Sequence, residues 1–244
     1  MIPIISIGPL SIPAATLILL LGIWLGSLLM SKQAKSHGRS EEILDQIVWT
    51  ALAVGVVGAR LSYIARNPWA FQGQVLSIFS LNPALLDGGG GILIALAAGY
   101  YLISKNKLDI LQFLDDLVPF LAAGTLAIYL ANFAAGAGFG TNTNLPWGIE
   151  LWGATRHPVQ LYFSLAGLTV LVLVLTDFLK YRQAPGQYFT TFTILTSGYL
   201  TFLTSFQDPI GNLFYGFRPF QISCLIVYCL SVTFYPLFKY GKQP

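Results

Sequence analysis

Four polar side chains lie close together at the start of one apolar segment. Arg156, His157, Gln160 and Tyr162 occur in the stretch Arg-His-Pro-Val-Gln-Leu-Tyr. Guanidinium and imidazolium groups bind phosphate oxygens, and amide and phenol groups hydrogen-bond to hydroxyls. A single histidine is more often structural than catalytic. Four such groups at the mouth of a membrane segment indicate a site for a lipid phosphate or a glycerol headgroup.

The proline in this stretch predicts where the helix begins. Proline is favoured at the first helical position, so Pro158 predicts a membrane helix over residues 157–178. Residues three and four apart share a helix face, which would put His157 beside Gln160 and Leu161. The polar groups should then form one cluster in the first two turns.

Two further polar residues are costly at their positions in apolar segments. Arg60 lies near the end of the second segment, and Asn132 near the end of the fourth. A charged side chain inside a membrane is a functional-site candidate, but an arginine that extends to lipid headgroups is an equal alternative. Taken alone, Asn132 favours a structural hydrogen bond between helices.

Four consecutive glycines, Gly88 to Gly91, open the third apolar segment. Without side chains they allow close approach of a ligand or of another helix, and their free amides would attract an anion. Plain helix packing is the alternative interpretation. Asp87 directly precedes the run and is predicted to be the N-cap of the helix.

Composition places these residues in a membrane protein. Of the 244 residues, 55% are hydrophobic and only 9% are charged, against about 25% charged in an average soluble domain. The mean hydropathy is +0.68. So few charges exclude a soluble globule, a disordered tail and a nucleic-acid-binding protein. Cys224 and Cys229 lie in one apolar run without matching histidines, so neither a disulfide, a metal site nor a cofactor is predicted.

The apolar segments predict an all-α integral membrane protein with about seven transmembrane helices and a single domain over residues 1–244. The first apolar run, Ala14 to Met30, is long enough to remain as a membrane helix rather than act as a cleaved signal peptide. The predicted spans are 12–31, 45–65, 88–104, 114–135, 157–178, 188–206 and 219–238.

The distribution of basic residues predicts the orientation. Nine of the 13 lysines and arginines follow spans one, three, five and seven, which places them on one side. Because basic loops face the cytoplasm, the N-terminus is expected outside and the C-terminus inside. Three tryptophans lie in or beside the outer loops, where aromatic rings favour the membrane interface: Trp69, Trp147 and Trp152.

At these residues the chain resembles the bacterial prolipoprotein diacylglyceryl transferases. The Arg156 to Tyr162 stretch is highly characteristic of that family, and further motifs occur in the family's order along most of the chain. These are Ile7-Gly8-Pro9-Leu10, Gly58-Ala59-Arg60-Leu61-Ser62-Tyr63, Leu145-Pro146-Trp147-Gly148, Pro185-Gly186-Gln187 and Gln221-Ile222-Ser223.

The resemblance implies a multi-pass protein of the bacterial cytoplasmic (inner) membrane with seven spans. The family's enzyme moves a diacylglyceryl group from phosphatidylglycerol to a lipobox cysteine thiol, and glycerol phosphate leaves. The reaction needs a base, because the thiolate is the nucleophile, and cations that hold the phosphate. The residues expected to bind the phospholipid are Arg60, Asn132, Gly140, Arg156, His157, Gln160 and Tyr162.

The chain departs from the family at its ionisable positions. The family's histidine on span three corresponds to Gly89, and its arginine and glutamate around Asn132 correspond to Tyr129 and Ala137. An arginine and a glutamate of span six, an N-terminal tyrosine and the glutamate after Tyr162 are also replaced. Their positions hold Thr201, Ser205, Ala15 and Phe163.

Two hypotheses follow from this pattern. The first is a catalytically degenerate family member without an assigned catalytic residue, kept as a lipid-binding protein and possible subunit of a larger membrane complex. The second is an active, divergent transferase that uses another acid and base, for which Asp87 with a pKa raised by burial and His157 are the candidates. The two hypotheses differ in whether the chain is an enzyme. A transporter is disfavoured, because no inverted repeat and no path of charge pairs is visible.

Overall fold

The computed structural model describes residues 4–7, 10–71, 85–176, 184–208 and 216–240. Within them the chain forms seven α-helices and two short antiparallel hairpins. The helices are α1 (Ala14–Ser36), α2 (Glu41–Arg66), α3 (Gly88–Lys105), α4 (Ile110–Ala135), α5 (Val159–Leu175), α6 (Gln187–Leu203) and α7 (Pro219–Tyr240). The strands are β1 (Ile4–Ile7) and β2 (Leu10–Pro13), followed by β3 (Ile149–Leu151) and β4 (Ala154–Arg156).

The helices make this an all-α membrane protein. In the described ranges, α1, α2, α4 and the Pro219–Pro236 part of α7 combine the length and the hydropathy needed to cross a bilayer, and α5 is apolar but shorter. Each of the predicted spans overlaps one of these helices over most of its length. The number of crossings and the orientation stay predictions.

Several helix ends differ from the predicted ones. The prediction began the second span at residue 45, but α2 begins at Glu41 because the Ser40 side chain accepts a hydrogen bond from the Ile43 amide at 3.4 Å. Helix α1 continues past residue 31 to Ser36, and Gly38 with φ +69° follows it. Polar residues thus extend both helices beyond their apolar segments.

The chain divides into two compact units, which are described separately. The short unit is Ala34–Phe113, and the long unit comprises Met1–Gln33 and Leu114–Pro244. Whether they form the single domain expected from the sequence stays a prediction.

In the short unit, α2 and α3 pack through small residues. A Cβ atom added at Gly91 would lie 2.9 Å from the Gly55 carbonyl oxygen and 2.7 Å from the Ala59 Cβ. A Cβ atom added at Gly90 would lie 2.1 Å from the Ser62 hydroxyl. The helices therefore approach more closely than any side chain would allow, as small-residue packing in membranes requires. This supports the helix-packing interpretation of the glycine run.

In the long unit, α4, α5 and α6 share an apolar core. Its fully buried members include Val118 of α4 and Val174 of α5, and the buried Phe192 of α6 belongs to the same cluster. Asp115 of α4 caps α6, because its carboxylate accepts hydrogen bonds from the amides of Gly186 at 2.7 Å and Phe189 at 2.8 Å. The capping carboxylate compensates two amides that the helix itself leaves free.

An extended segment after α4 supports the candidate site. The Thr141 amide donates to the Phe206 carbonyl on one side, and on the other the His157 amide donates to the Thr141 carbonyl. The Asp208 amide donates to the Phe139 carbonyl. Residues 139–143 therefore lie between the end of the α6 region and the segment that leads into α5.

Candidate lipid-binding site

Arg156 is held by the protein on several sides. Its Nε donates to the Leu151 carbonyl at 3.2 Å, and its Nη1 donates to the Gly140 carbonyl at 3.2 Å and to the Asp208 carboxylate at 2.8 Å. Its guanidinium carbon lies 4.6 Å from the centre of the Phe139 ring. With 16% of its side chain exposed, Arg156 connects β4 to the residues that follow α6.

These contacts occupy most of the arginine's binding capacity. A guanidinium carries five N–H bonds, of which Nε and Nη1 hold three. Among the described residues, the Nη2 group has no hydrogen-bond partner. A phosphate at Arg156 would therefore bind through Nη2, or would compete with the Asp208 carboxylate.

The predicted helix start at residue 157 is wrong by two residues. Arg156 belongs to β4, Pro158 is the N-cap, and α5 begins at Val159. His157 therefore shares no helix face with Gln160 or Leu161. The strand persists because Arg156 pairs with Ile149 across the hairpin and forms a bridge with Asn142.

His157 and Tyr162 nevertheless lie together. The His157 Nδ1 atom is 3.4 Å from the Tyr162 hydroxyl, which also accepts a hydrogen bond of 2.8 Å from the Trp147 indole N–H. The Phe206 ring lies 5.5 Å from the imidazole, measured between ring centres. The segment before α5 and the first turn of α5 thus present an imidazole and a phenol side by side, both half-buried.

Gln160 and Gly140 lie behind this pair. The Gln160 side chain is 1% exposed and donates from Nε2 to the Ala137 carbonyl at 2.9 Å, while its Oε1 has no partner in the described part of the chain. A Cβ atom at Gly140 would lie 2.4 Å from the His157 carbonyl oxygen. Glycine is therefore required at residue 140 by close approach of two main-chain segments.

Asn132 lies in the last turn of α4, where its carbonyl accepts from the Ala137 amide at 2.9 Å. A Cβ atom at Gly138 would lie 3.8 Å from its Nδ2 atom. Within the described ranges its side chain makes no hydrogen bond, so the expected hydrogen bond between helices is not formed there. The structure places Asn132 beside the loop that contains Gly140.

Arg60 belongs to the short unit. Its Nη1 donates to the Leu85 carbonyl at 2.9 Å, and its guanidinium carbon lies 5.4 Å from the centre of the Phe71 ring. The side chain therefore lies over the chain segments that lead from α2 and into α3.

Asp87 occupies the N-cap position of α3, as predicted, with extended dihedral angles of φ −87° and ψ 100°, but its side chain makes no capping hydrogen bond. Its carboxylate accepts a 2.5 Å hydrogen bond from the Ser62 hydroxyl and lies 3.4 Å from the Arg66 Nε. The Ser62 hydrogen bond is the main cause that lowers the pKa of Asp87, with Arg66 assisting and partial burial opposing it. The pKa of Asp87 is therefore shifted in the direction opposite to the one that the active-transferase hypothesis requires.

Two aromatic rings fill positions where the family resemblance implies charged residues. Tyr129 of α4 and Phe163 of α5 stack with ring centres 4.3 Å apart and planes 14° apart. Phe163 is 1% exposed. The resemblance implies an arginine at the first position and a glutamate at the second, so the two replacements are spatially paired.

The hydroxyls at the span-six positions are bonded within the protein. Thr201 donates to the Ser197 carbonyl at 2.8 Å, and the Gln221 amide donates to the Ser205 hydroxyl at 3.0 Å. At Gly89, an added Cβ atom would lie 3.6 Å from an Asp87 carboxylate oxygen. None of these three residues supplies a base of useful strength.

Sequence reasoning missed Asp208 and Ser62, the partners of Arg156 and Asp87. A signal existed for Asp208, because it is one of only 10 acidic residues in the chain. Ser62 carried no comparable signal, since a serine in an apolar helix is common. The described residues contain no group of three or more histidine, cysteine or acidic side chains that could hold a metal ion.

The comparisons with known proteins agree with the motifs. The family model described as prolipoprotein diacylglyceryl transferase matches residues 3–236. The phosphatidylglycerol–prolipoprotein diacylglyceryl transferase of Finegoldia magna is 34% identical over 181 residues, which cover 73% of this chain and 72% of that protein. The enzymes of the same name from Clostridioides difficile and Nitratidesulfovibrio vulgaris Hildenborough are 31% and 29% identical, covering 72% and 93% of this chain and 71% and 90% of theirs.

Proposed function

Since the chain belongs to the prolipoprotein diacylglyceryl transferase family, we propose that it binds a phosphatidylglycerol-like phospholipid in the bacterial inner membrane and has lost most or all of the transfer reaction. Binding and chemistry make different demands on the site. Binding needs cations and hydrogen-bond donors at the headgroup, whereas transfer also needs a base and stabilisation of developing charge.

The stack of Tyr129 on Phe163 is the observation that carries the loss of activity. The rings are in van der Waals contact and nearly parallel, so they exclude both a carboxylate and a guanidinium from that space. Losing one well-placed electrostatic group typically costs about 10²–10³-fold in rate. Such losses are not additive, but several positions are affected together.

The remaining candidates for a base do not replace the missing groups. The lowered pKa of Asp87 makes its carboxylate a weaker base, while a free cysteine thiol has a pKa of about 8.5. In the described ranges, a ring nitrogen of His157 contacts the Tyr162 phenol, and Asp208 is paired with Arg156. Among the described residues, therefore, no carboxylate orients the imidazole as a general base.

Lipid binding is supported by what the site retains. The Nη2 group of Arg156 and the half-buried His157–Tyr162 pair offer donors for phosphate and glycerol oxygens. Arg60, at the end of α2, is a separate cation in the short unit. Gln160 and Gly140 shape the loop behind them rather than present free donors. The proposal includes a further role for an inactive family member, which is association with other membrane-protein subunits.

The active, divergent transferase is the second candidate. The observation in its favour is that the relatives above carry the name of the active enzyme. In that case Asp87 or His157 must serve as the base, which makes the two candidates separable by experiment.

The decisive test combines complementation with an assay in vitro. The chain and the Finegoldia magna relative are each expressed in a bacterial strain depleted of its own transferase. The purified proteins are then given phosphatidylglycerol and a lipobox peptide, and thioether formation is measured by mass spectrometry. We expect growth and product with the relative only. Growth with matured lipoproteins would refute the loss of activity, and Asp87→Asn and His157→Gln would then identify the base.

Lipid binding is tested separately. The protein is purified in mild detergent, and its bound lipids and subunits are identified by mass spectrometry. We expect phosphatidylglycerol to co-purify in greater amount than with Arg156→Gln, while a Lys105→Gln variant at an exposed position controls for general loss of positive charge. Equal lipid content in all three proteins would contradict a headgroup site at Arg156.

A further inference from the structure

The turn between β3 and β4 contains a backbone conformation that its sequence does not favour. Trp152 and Gly153 connect Leu151 to Ala154, and both have positive φ angles, of 54° and 74°. A two-residue hairpin turn with both φ angles positive is of type I′, which prefers asparagine, aspartate or glycine at its first position. A bulky residue with positive φ is a true outlier, because its side chain crowds the main chain there. A tryptophan at this position therefore indicates a role for its side chain.

The indole of Trp152 is hydrogen-bonded to the protein through its polar edge. Its Nε1 donates to the Gly136 carbonyl at 3.1 Å, yet 69% of the residue is exposed. Trp147 repeats this arrangement, with its N–H bonded to the Tyr162 hydroxyl and 57% of the residue exposed. Both rings therefore present apolar surface outward, since their only donors are already satisfied.

The contact with Gly136 fixes the level of Trp152 in the membrane. Gly136 directly follows Ala135, the last residue of α4, which is long and apolar enough to span. Its 26 residues make α4 about 39 Å long at about 1.5 Å per residue. A hydrocarbon core is about 30 Å thick, and about 40–45 Å with the headgroup regions, so the end of a spanning α4 lies among the headgroups.

We propose that the Trp152–Gly153 turn is a membrane anchor whose indole lies in the interfacial layer of the phospholipid bilayer. Tryptophan favours this layer, where one edge of the ring is polar and the rest is apolar. Insertion there offsets the cost of the positive φ angle. The anchor holds the β3–β4 hairpin, whose last residue is Arg156, at the level of the headgroups. It does not depend on lipid binding by Arg156 or on transferase activity.

Depth-dependent fluorescence quenching tests the anchor in the intact protein. Wild type and Trp152→Asn are reconstituted into vesicles of phosphatidylethanolamine and phosphatidylglycerol that carry a nitroxide at the headgroup or near the end of an acyl chain. Asparagine suits the first position of a type I′ turn, so the hairpin should persist. The emission of Trp152 is the difference between the spectra of wild type and Trp152→Asn. It should be quenched more by the headgroup nitroxide than by the deep one, and little by aqueous iodide.

Trp24 provides the matched control. It is 58% exposed and lies midway along α1, so the emission lost in Trp24→Phe should be quenched mainly by the deep nitroxide. Strong iodide quenching of Trp152 would place the turn in water, and protection from all three quenchers would place it against protein; either result overturns the anchor. If Trp152→Asn fails to fold, Trp152→Tyr takes its place. In protein labelled with 5-fluorotryptophan, the fluorine resonance that is missing from Trp152→Tyr is then that of Trp152.

Discussion

At the scale of single residues, the candidate site depends on main-chain segments that approach closely. Gly140 is the clearest case, because a methyl group there would overlap the His157 carbonyl oxygen and the Val159 side chain. We expect Gly140→Ala to lower the free energy of unfolding by about 1–3 kcal/mol through overpacking. Thermal unfolding of the purified protein in detergent measures this change.

Gly124 of α4 is the matched control for that substitution. A Cβ atom added there meets nothing within 4 Å, and alanine is favoured over glycine in a helix by about 1 kcal/mol. Gly124→Ala should therefore be neutral or stabilising. If both variants were equally stable, the close approach at Gly140 would not be a feature of the folded protein.

The carboxyl group of Asp87 yields a prediction about pH. Because the folded-state pKa is lowered, the ionised carboxylate contributes stability above its unfolded-state pKa, and this contribution is lost as the pH falls through the folded value. We expect Ser62→Ala to raise the pKa of Asp87 more than Arg66→Gln does, since the Arg66 side chain is 72% exposed and screened by water. Carbon NMR titration of the labelled carboxyl group measures both shifts, and the reverse order would contradict this assignment.

At the scale of elements, the Arg156–Asp208 pair joins the β3–β4 hairpin to the segment after α6. Removing Arg156 leaves a partly buried carboxylate and two carbonyl groups without their donor. We expect Arg156→Gln to destabilise this junction by about 1.5–3 kcal/mol, and Asp208→Asn to cost less because an amide oxygen still accepts. Hydrogen exchange at the Thr141 and Thr143 amides reports the loss.

The exposed pair of Lys35 and Glu41 serves as a comparison. Its atoms are 2.5 Å apart, but 64% of the Lys35 side chain is exposed. Lys35→Gln should change the stability by less than about 1 kcal/mol, because exposed ion pairs contribute little. A loss as large as that of Arg156→Gln would show that burial is not what distinguishes the two pairs.

At the scale of the whole molecule, the distribution of basic residues predicts the topology. Gln243, outside the described residues, is expected in the cytoplasm, and Asn144, in the loop before β3, on the outer side. In a variant without native cysteines, a membrane-impermeant maleimide should label Asn144→Cys in intact cells and Gln243→Cys only after permeabilisation. The opposite pattern would invert the orientation.

The sequence by itself determined the membrane class, the approximate position of each helix and the family. Apolar segment length and turn signals are local properties, and a bilayer leaves the helix as the main way to satisfy the backbone. The motif around Arg156 and the N-cap position of Asp87 could be predicted as well, because each depends on residues that are neighbours in the sequence. Helix ends were missed where polar residues extended the helix, as at Ser40 and Glu41.

Only the tertiary structure decided which side chains meet. Asp208 is 52 residues from Arg156, and Ser62 is 25 residues from Asp87, so no local pattern pairs them. Hydrophobic periodicity specifies which face of a helix is apolar, but not which residue of another helix lies opposite it. The stacking of Tyr129 on Phe163 depends on that placement, because it joins α4 to α5. The hydrogen bond from Trp152 to Gly136 likewise joins the hairpin turn to the end of α4.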